Sequence, residues 1–247
     1  MALNYKKFDL EIIFVFSIGR SGTAYLAQVF GHKPWKQKDI AFPDKRTAVV
    51  HEKWGMQQKL VEQLKLVKPT SDAGLEIQKE KLKSIFRICK TKGIERLFIT
   101  DSTFGRWCAY YIIQNYNYKV IFLGRNKNDV VNSWVNRYKN YKKNHGKKAT
   151  NELLSDRWKY MYYNITDKYT LLHVDKSKWK KYSIKEKMGW YYDEFLAKWN
   201  ELKPSIEKEK YFETSYEEII TIQGLTDLSK FIDMSFDYDL INKKVNY

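Results

Sequence analysis

The sequence predicts an α/β fold, a parallel β-sheet flanked by helices with a largely helical second half. Three observations carry this. Short apolar, β-prone runs alternate with helical spacing through the first 142 residues, which calls for crossover connections and helices on both faces of a parallel sheet. The first run, EIIFVFSI (11–18), is apolar after its first residue, as a strand buried on both faces must be. Directly behind it stands GRSGT (19–23), a short polar turn with two glycines, and helical spacing then resumes.

The elements follow in order. Residues 22–31, GTAYLAQVFG, set Tyr25, Leu26, Val29 and Phe30 on one helical face, with Gly31 as a helix stop. Residues 32–46 are polar and broken by Pro34 and Pro43, so they read as loop. TAVVH (47–51) is a second strand and RLFIT (96–100) a third, separated by a helical pattern over 75–92 that ends near Gly93. Residues 104–117 read as helix, KVIFLG (119–124) as the fourth strand, and 127–142 as helix. Beyond these, helices are expected at about 150–164, 185–201, 215–222 and 225–233, with a strand, KYFETS, at 210–215. No repeat or low-complexity linker divides the chain, so residues 1–247 are expected to form one domain.

Composition narrows the function. Hydrophobic residues make up 43% and aromatics 16%, which excludes a disordered chain. Lys and Arg total 45 against 29 Asp and Glu, a net +16, which suits either an anionic partner or a solvated lysine-rich surface. Cys89 and Cys108 are the two cysteines, both among apolar neighbours in expected helices, so they read as reduced thiols rather than a metal site or disulfide. No signal-peptide layout and no apolar run of about 20 residues is present. The expectation is a soluble, cytoplasmic protein without a membrane span.

In a parallel sheet, ligands bind at the carboxyl ends of the strands. Here those ends carry Ser17–Thr23, His51–Glu52, Thr100–Ser102 and Arg125. In GRSGT, Gly19 and Gly22 permit positive φ and a close backbone approach. Consecutive N–H groups then form an anion nest, to which Ser21 and Thr23 add hydroxyls and Arg20 a fixed charge. A second anion site is legible in RNKNDVVNS: Arg125 ends the fourth strand and Ser133 follows eight residues later on the next helix. An Arg can hold a phosphate in bidentate fashion and a hydroxyl can complete the site. Two anion sites on one sheet edge suit a nucleotide with phosphates at both ends of its ribose.

These residues resemble the sulfotransferase family, whose donor is 3′-phosphoadenosine 5′-phosphosulfate (PAPS) and whose nucleotide product is the 3′,5′-bisphosphate PAP. The family's 5′-phosphosulfate loop follows the first strand as [K/R]-S-G-T-[T/S]. Arg20, Ser21, Gly22, Thr23 and Ala24 match it, with Ala24 where the family prefers a hydroxyl. The family's 3′-phosphate motif has an Arg at a strand end, an Asp-containing turn and a Ser eight residues after the Arg, as do Arg125, Asp129 and Ser133. In YFETSYEEI, Tyr216 stands where the family places a Tyr beside adenine, with Glu217 next to it. The matches run in order over about residues 11–242, with little likeness between 140 and 205. The resemblance implies a P-loop nucleotide-binding-like sulfotransferase fold, with PAPS bound by residues 20–24, Arg125, Ser133 and Tyr216.

The implied reaction is in-line transfer of a sulfuryl group to a hydroxyl or amine of a glycan or small molecule. Positioning and a positive field do the work, so no metal is required, and Arg20 would face the bond that breaks. For the base, family members carry a His at the end of the second strand or a Glu early in the chain, and His51 and Glu52 are both open. Where the family often has a Lys near the third strand's end, this chain has Asp101, open as acceptor ligand or proton carrier and as a helix cap. Arg106, one turn on, is positioned to restore the missing charge.

Other features carry two readings each. Lys243, Lys244 and Asn246 either close the 3′-phosphate site or are solvated. Tyr25 lies against adenine or in the core. The run 137–148 either covers an acidic acceptor or is a solvated helix end, and Trp190, Tyr191 and Phe195 either stack on a sugar or pack on the sheet. The alternative enzyme class, a P-loop kinase of nucleosides or small molecules using ATP and magnesium, wants a Lys before the Ser/Thr and an acidic strand end for the metal; this chain has Arg20 in place of that Lys, and Asp101 as a candidate metal carboxylate. Specific nucleic-acid binding wants a basic stripe or stacking motif, and none stands out beyond 137–148.

Overall fold

The computed structural model describes residues 9–19, 21–32, 40–51, 58–153, 165 and 167–236. The first strand is β1 (Glu11–Ser17), and its registers explain its composition. It pairs in parallel with β4 (Arg96–Ile99) on one side and β5 (Asn117–Gly124) on the other, so it is the centre of the sheet. β3 (Thr47–Val50) pairs in parallel with β4, and β6 (Tyr211–Ser215) in parallel with β5. A two-residue edge strand, β2 (Ile40–Ala41), runs antiparallel to β3. The order is β2-β3-β4-β1-β5-β6. This is a mostly parallel α/β sheet with helices on both faces, as the sequence predicts.

Alternate residues of β1 feed two cores. Ile13 and Val15 pack with Tyr25, Leu26 and Val29 of α1 (Thr23–Val29), with Phe30 that caps it, and with Leu225, Leu228 and Ile232 of α9 (Ile222–Ile232). Ile12, Phe14 and Phe16 point the other way. They meet α3 (Asp72–Lys92), α4 (Ser102–Asn115), the start of α5 (Lys127–Leu153) and α7 (Ile184–Leu202). The helix after β1 thus covers one face, and those after β4 and β5 cover the other. The chain parts at the carboxyl end of β1, which opens a crevice there.

Caps set several boundaries that periodicity missed. The Ser71 side chain accepts from the Gly74 N–H, so α3 begins three residues before the predicted 75, and Gly93 ends it with φ 65. The expected helix over 215–222 stops early: α8 spans Tyr216–Ile219, and Thr221 caps α9 by accepting from the Gly224 N–H. Helix α5 runs to Leu153, well past the predicted 142, so much of the basic run lies in a continuous helix. Two short helices, α2 (Gln58–Leu64) and α6 (Lys176–Lys181), had no legible period. Most of the helix expected over 150–164 lies outside the described residues.

Trp190, Tyr191, Phe195 and Trp199 of α7 are core residues. The Phe195 ring stacks on Phe16 at 5.3 Å and on Phe122 at 5.7 Å, which decides for sheet packing over a sugar platform. The same helix anchors the preceding loop, because buried Glu194 accepts from the N–H groups of Leu171 and Leu172. Both cysteines are free and buried.

Candidate functional site

From β3 to β6, the carboxyl edge of the sheet presents His51, Thr100–Ser102, the loop after Ser17, Arg125 and Tyr216. The loop turns on Gly19 (φ 78) and Gly22 (φ 91). The Gly19 N–H donates to Ser17 Oγ at 3.3 Å, and the hydroxyl of buried Ser21 donates to the Gly19 carbonyl at 3.3 Å. The Gly22 carbonyl accepts from the Leu26 N–H at 3.1 Å and so opens α1. Thr23 and Ala24 follow, half-buried, in its first turn. Arg20 lies outside the described residues, as do Glu52, Lys243, Lys244 and Asn246.

Both glycines are approached from outside the loop, and Gly22 is crowded. A Cβ on Gly19 would stand 3.6 Å from Ser102 Oγ and 3.8 Å from the Trp134 ring, so the β4–α4 turn and α5 both come up to it. A Cβ on Gly22 would stand 2.3 Å from Tyr216 Cδ2 and 2.9 Å from Cε2, so the Tyr216 ring rests directly on the glycine. Only a residue without a side chain fits beneath that ring.

Tyr216 is also the meeting point of the second predicted motif. The Arg125 guanidinium lies over its ring, 5.0 Å from the centroid. Arg125 Nε is 3.8 Å from Glu217 Oε1, and the Arg125 carbonyl accepts from the Tyr192 hydroxyl at 2.7 Å. Tyr25 approaches the Tyr216 ring edge-on at 6.5 Å from below. Burial, helped by the Tyr216 phenol nearby, pushes the Tyr25 hydroxyl up to about 12. Tyr25 is therefore at once a core residue and a neighbour of Tyr216. Asp129 is exposed in the first turn of α5 and Ser133 half-buried in its second.

On the other side of the loop, His51 is buried at the end of β3, with Nδ1 3.1 Å from the hydroxyl oxygen of Thr100. A second buried imidazole, His32, stands edge-on to it at 5.9 Å. Asp101 is buried and immediately precedes α4. Burial lowers the pKa of Lys81, which is fully buried on α3, while Cys108 and Asp101 act in the opposite direction. The Arg106 guanidinium donates to the Ser102 carbonyl at 2.8 Å and to the Tyr191 hydroxyl, tying α4 to α7.

Four neighbours of the predicted residues were not anticipated: Thr100 as the partner of His51, Ser102 and Trp134 against Gly19, and His32 beside His51. Polar type and position at a strand end mark Thr100 and Ser102 in the sequence. Trp134 and His32 carry no such mark. Chemically, the edge offers a glycine-built turn with main-chain N–H groups, a guanidinium beside an aromatic face, and a buried imidazole.

No protein-family model matches the chain. No curated protein matches it in sequence. Solved structures do resemble it. A sulfotransferase domain from the curacin biosynthetic pathway matches with TM-score 0.50 and 15% identity over 96% of this chain and 79% of that one. A sulfotransferase domain from the Synechococcus PCC 7002 olefin synthase matches with TM-score 0.49 and 15% identity, over 96% and 78%. The mouse sulfotransferase SULT7A1, complexed with PAP, matches with TM-score 0.46 and 14% identity, over 95% of this chain and 63% of that one.

Proposed function

We propose, on the premise of the sulfotransferase fold that this chain has, that it is a PAPS-dependent sulfotransferase. The observation that carries this reading is the convergence on Tyr216. Its ring covers Gly22 of the first motif and underlies the guanidinium of Arg125 from the second, although the three residues are about a hundred apart in sequence. A bound nucleotide needs its two phosphates and its base gripped within one small region, and these are the residues the motifs assign to the three tasks.

In this reading the loop 20–24 holds the 5′-phosphosulfate through main-chain N–H groups, with hydroxyls from Ser21 and Thr23. Arg125 and Ser133 hold the 3′-phosphate, and Tyr216 faces the adenine. A base, His51 or Glu52, takes the proton of the acceptor hydroxyl or amine. The acceptor atom then bonds to sulfur as the sulfur–oxygen bond to the 5′-phosphate breaks in line, and PAP leaves. Arg20 neutralises the charge that builds on the departing bridging oxygen. Such fixed donors stabilise charge more strongly than water does, because they need no reorganisation. The acceptor belongs to the glycans or small hydroxylated molecules. We assign the protein to the cytoplasm on its free, buried cysteines. No helix among the described residues is long and apolar enough to cross a membrane.

Calorimetry with PAP and, separately, with ATP and magnesium tests the donor. Tight PAP binding is expected, with ATP much weaker. Tight binding of magnesium ATP without any for PAP would replace the reading with a kinase. Labelled PAPS against a panel of phenols, alcohols and oligosaccharides then finds the acceptor.

A further inference from the structure

We infer that Thr100 is a positioning residue that fixes the tautomer of His51, leaving Nε2 as the basic nitrogen. The catalytic meaning of this rests on the reading of His51 as the base. The tautomer itself does not.

The argument turns on one hydrogen. Thr100 is fully buried at the carboxyl end of β4, next to β3 in the sheet. Its hydroxyl oxygen has two neighbours at hydrogen-bond distance, the Val50 carbonyl at 2.9 Å and His51 Nδ1 at 3.1 Å. A hydroxyl has one hydrogen to give and lone pairs to receive with. A carbonyl can only accept, so the contact with Val50 is a bond only if Thr100 donates to it. Nδ1 must then carry the hydrogen of the second contact, donating to Thr100, and the neutral ring keeps its lone pair on Nε2. In the opposite arrangement Thr100 donates to Nδ1. The Val50 carbonyl would then keep the bond it accepts from the Thr100 N–H at 3.0 Å, but the two oxygens would face each other at 2.9 Å with no hydrogen between them, and one buried hydrogen bond would be lost. One tautomer satisfies both contacts and the other satisfies one.

The consequence is directional. A general base needs its lone pair on the nitrogen that reaches the substrate, and an orienting partner on the other nitrogen decides which one that is. When His51 takes a proton at Nε2, the Nδ1–H bond to Thr100 persists, so proton uptake leaves the partner's hydrogen bonds intact. Sequence gives the reason for the local arrangement. A β-branched threonine fits the strand end and presents its hydroxyl to the neighbouring strand, where valine would fill the same volume without the acceptor.

Nitrogen-15 NMR of the histidine-labelled full-length protein tests this without an acceptor. In the neutral ring of the wild type, Nδ1 is expected to be the protonated nitrogen and Nε2 the pyridine-like one. In Thr100→Val the ratio should move toward Nε2–H by about fivefold, the bias that one hydrogen bond of ordinary strength sustains. Thr100→Ser should restore it. A wild-type His51 protonated at Nε2 would overturn the inference, and that measurement needs no variant to fold. A ratio unchanged in folded Thr100→Val would overturn it as well. The base assignment falls separately, if His51→Ala still transfers label in the acceptor panel.

Discussion

Replacing Gly22 by alanine drives a methyl group into the ring of Tyr216. The new Cβ would lie 2.3 Å from Cδ2, 2.9 Å from Cε2 and 3.4 Å from Cγ. Carbon atoms rest about 3.5–4 Å apart, so the ring must retreat by more than about 1 Å. Three costs follow. An L-residue at positive φ costs about 1–2 kcal/mol. Forcing the tyrosine off its rotamer costs about 0.5–1.5 kcal/mol. Losing the stack under Arg125 costs about 0.5–1 kcal/mol more. The stability loss expected in urea unfolding is therefore about 2–4.5 kcal/mol. Gly93 supplies the control. It also has positive φ, at 65°, but a Cβ there meets nothing within 4 Å. Gly93→Ala should lose the conformational part alone, about 1–2 kcal/mol, and bind PAP like the wild type. Gly22→Ala should lose more, and its PAP affinity should fall at least about tenfold if Tyr216 faces the adenine as proposed, since the displaced ring takes the Arg125 contact with it. Equal stability of the two variants, with PAP affinity preserved in both, would refute the packing of Tyr216 on Gly22 and the convergence built on it.

Arg125→Ala should weaken PAP binding by on the order of 2–5 kcal/mol in calorimetry, as removal of a buried charged partner does. Arg125→Lys should recover only part, because the ammonium lacks the guanidinium fork. Unchanged affinity in the alanine variant would mean that the 3′-phosphate is held elsewhere. Tyr216→Ala should cost about 1–3 kcal/mol of PAP affinity, the worth of a stacked base, while Tyr216→Phe should bind almost as the wild type does. Burial pushes the thiols of Cys89 and Cys108 up to about 12. At pH 8 the thiolate fraction is then about one in ten thousand, so an aromatic disulfide reagent should leave both untouched until urea unfolds the chain. Prompt reaction of the native protein would show that one of the helices carrying them opens.

The parts of this site that could be read in the sequence are those whose chemistry and chain position coincide. Gly19, Gly22 and Arg125 stand at strand ends, where apolar runs stop abruptly, so both residue type and place marked them. Tyr216 was legible through the resemblance, and its contact with Gly22 was not, because no pattern in the chain says which turn a ring from β6 and α8 will cover. Trp134 was hidden among the apolar positions of α5, where a residue facing the loop and one facing the core look alike. Short elements failed for a related reason. Seven residues of α2 and six of α6 are too few for a 3.6 period to emerge. β2 was lost because the prolines around it argue for loop, and a two-residue antiparallel edge needs no strand-like run. The core alternation of β1, by contrast, followed from burial on both faces.

Asp101 is where the resemblance and this chain part, and its two readings, acceptor ligand or proton carrier and helix cap, predict different outcomes. In the first the carboxylate stands close enough to the phosphosulfate to repel it, and its removal would tighten nucleotide binding. Asp101 is buried in the N-cap position of α4, and its charge acts on Lys81, which is itself fully buried on α3. A double-mutant cycle decides the point. Lys81→Met and Asp101→Asn should each destabilise the protein, and the pair should cost less than the two singles taken together by about 0.5–3 kcal/mol, as directly coupled groups do. If Asp101 is a helix cap coupled to Lys81, Asp101→Asn should also leave PAP affinity within about twofold, where a tenfold change would be about 1.4 kcal/mol. Additive stability losses together with tighter PAP binding would turn Asp101 toward the donor. The positive field for transfer would then have to overcome a carboxylate, and Arg20 alone could not be assigned that task.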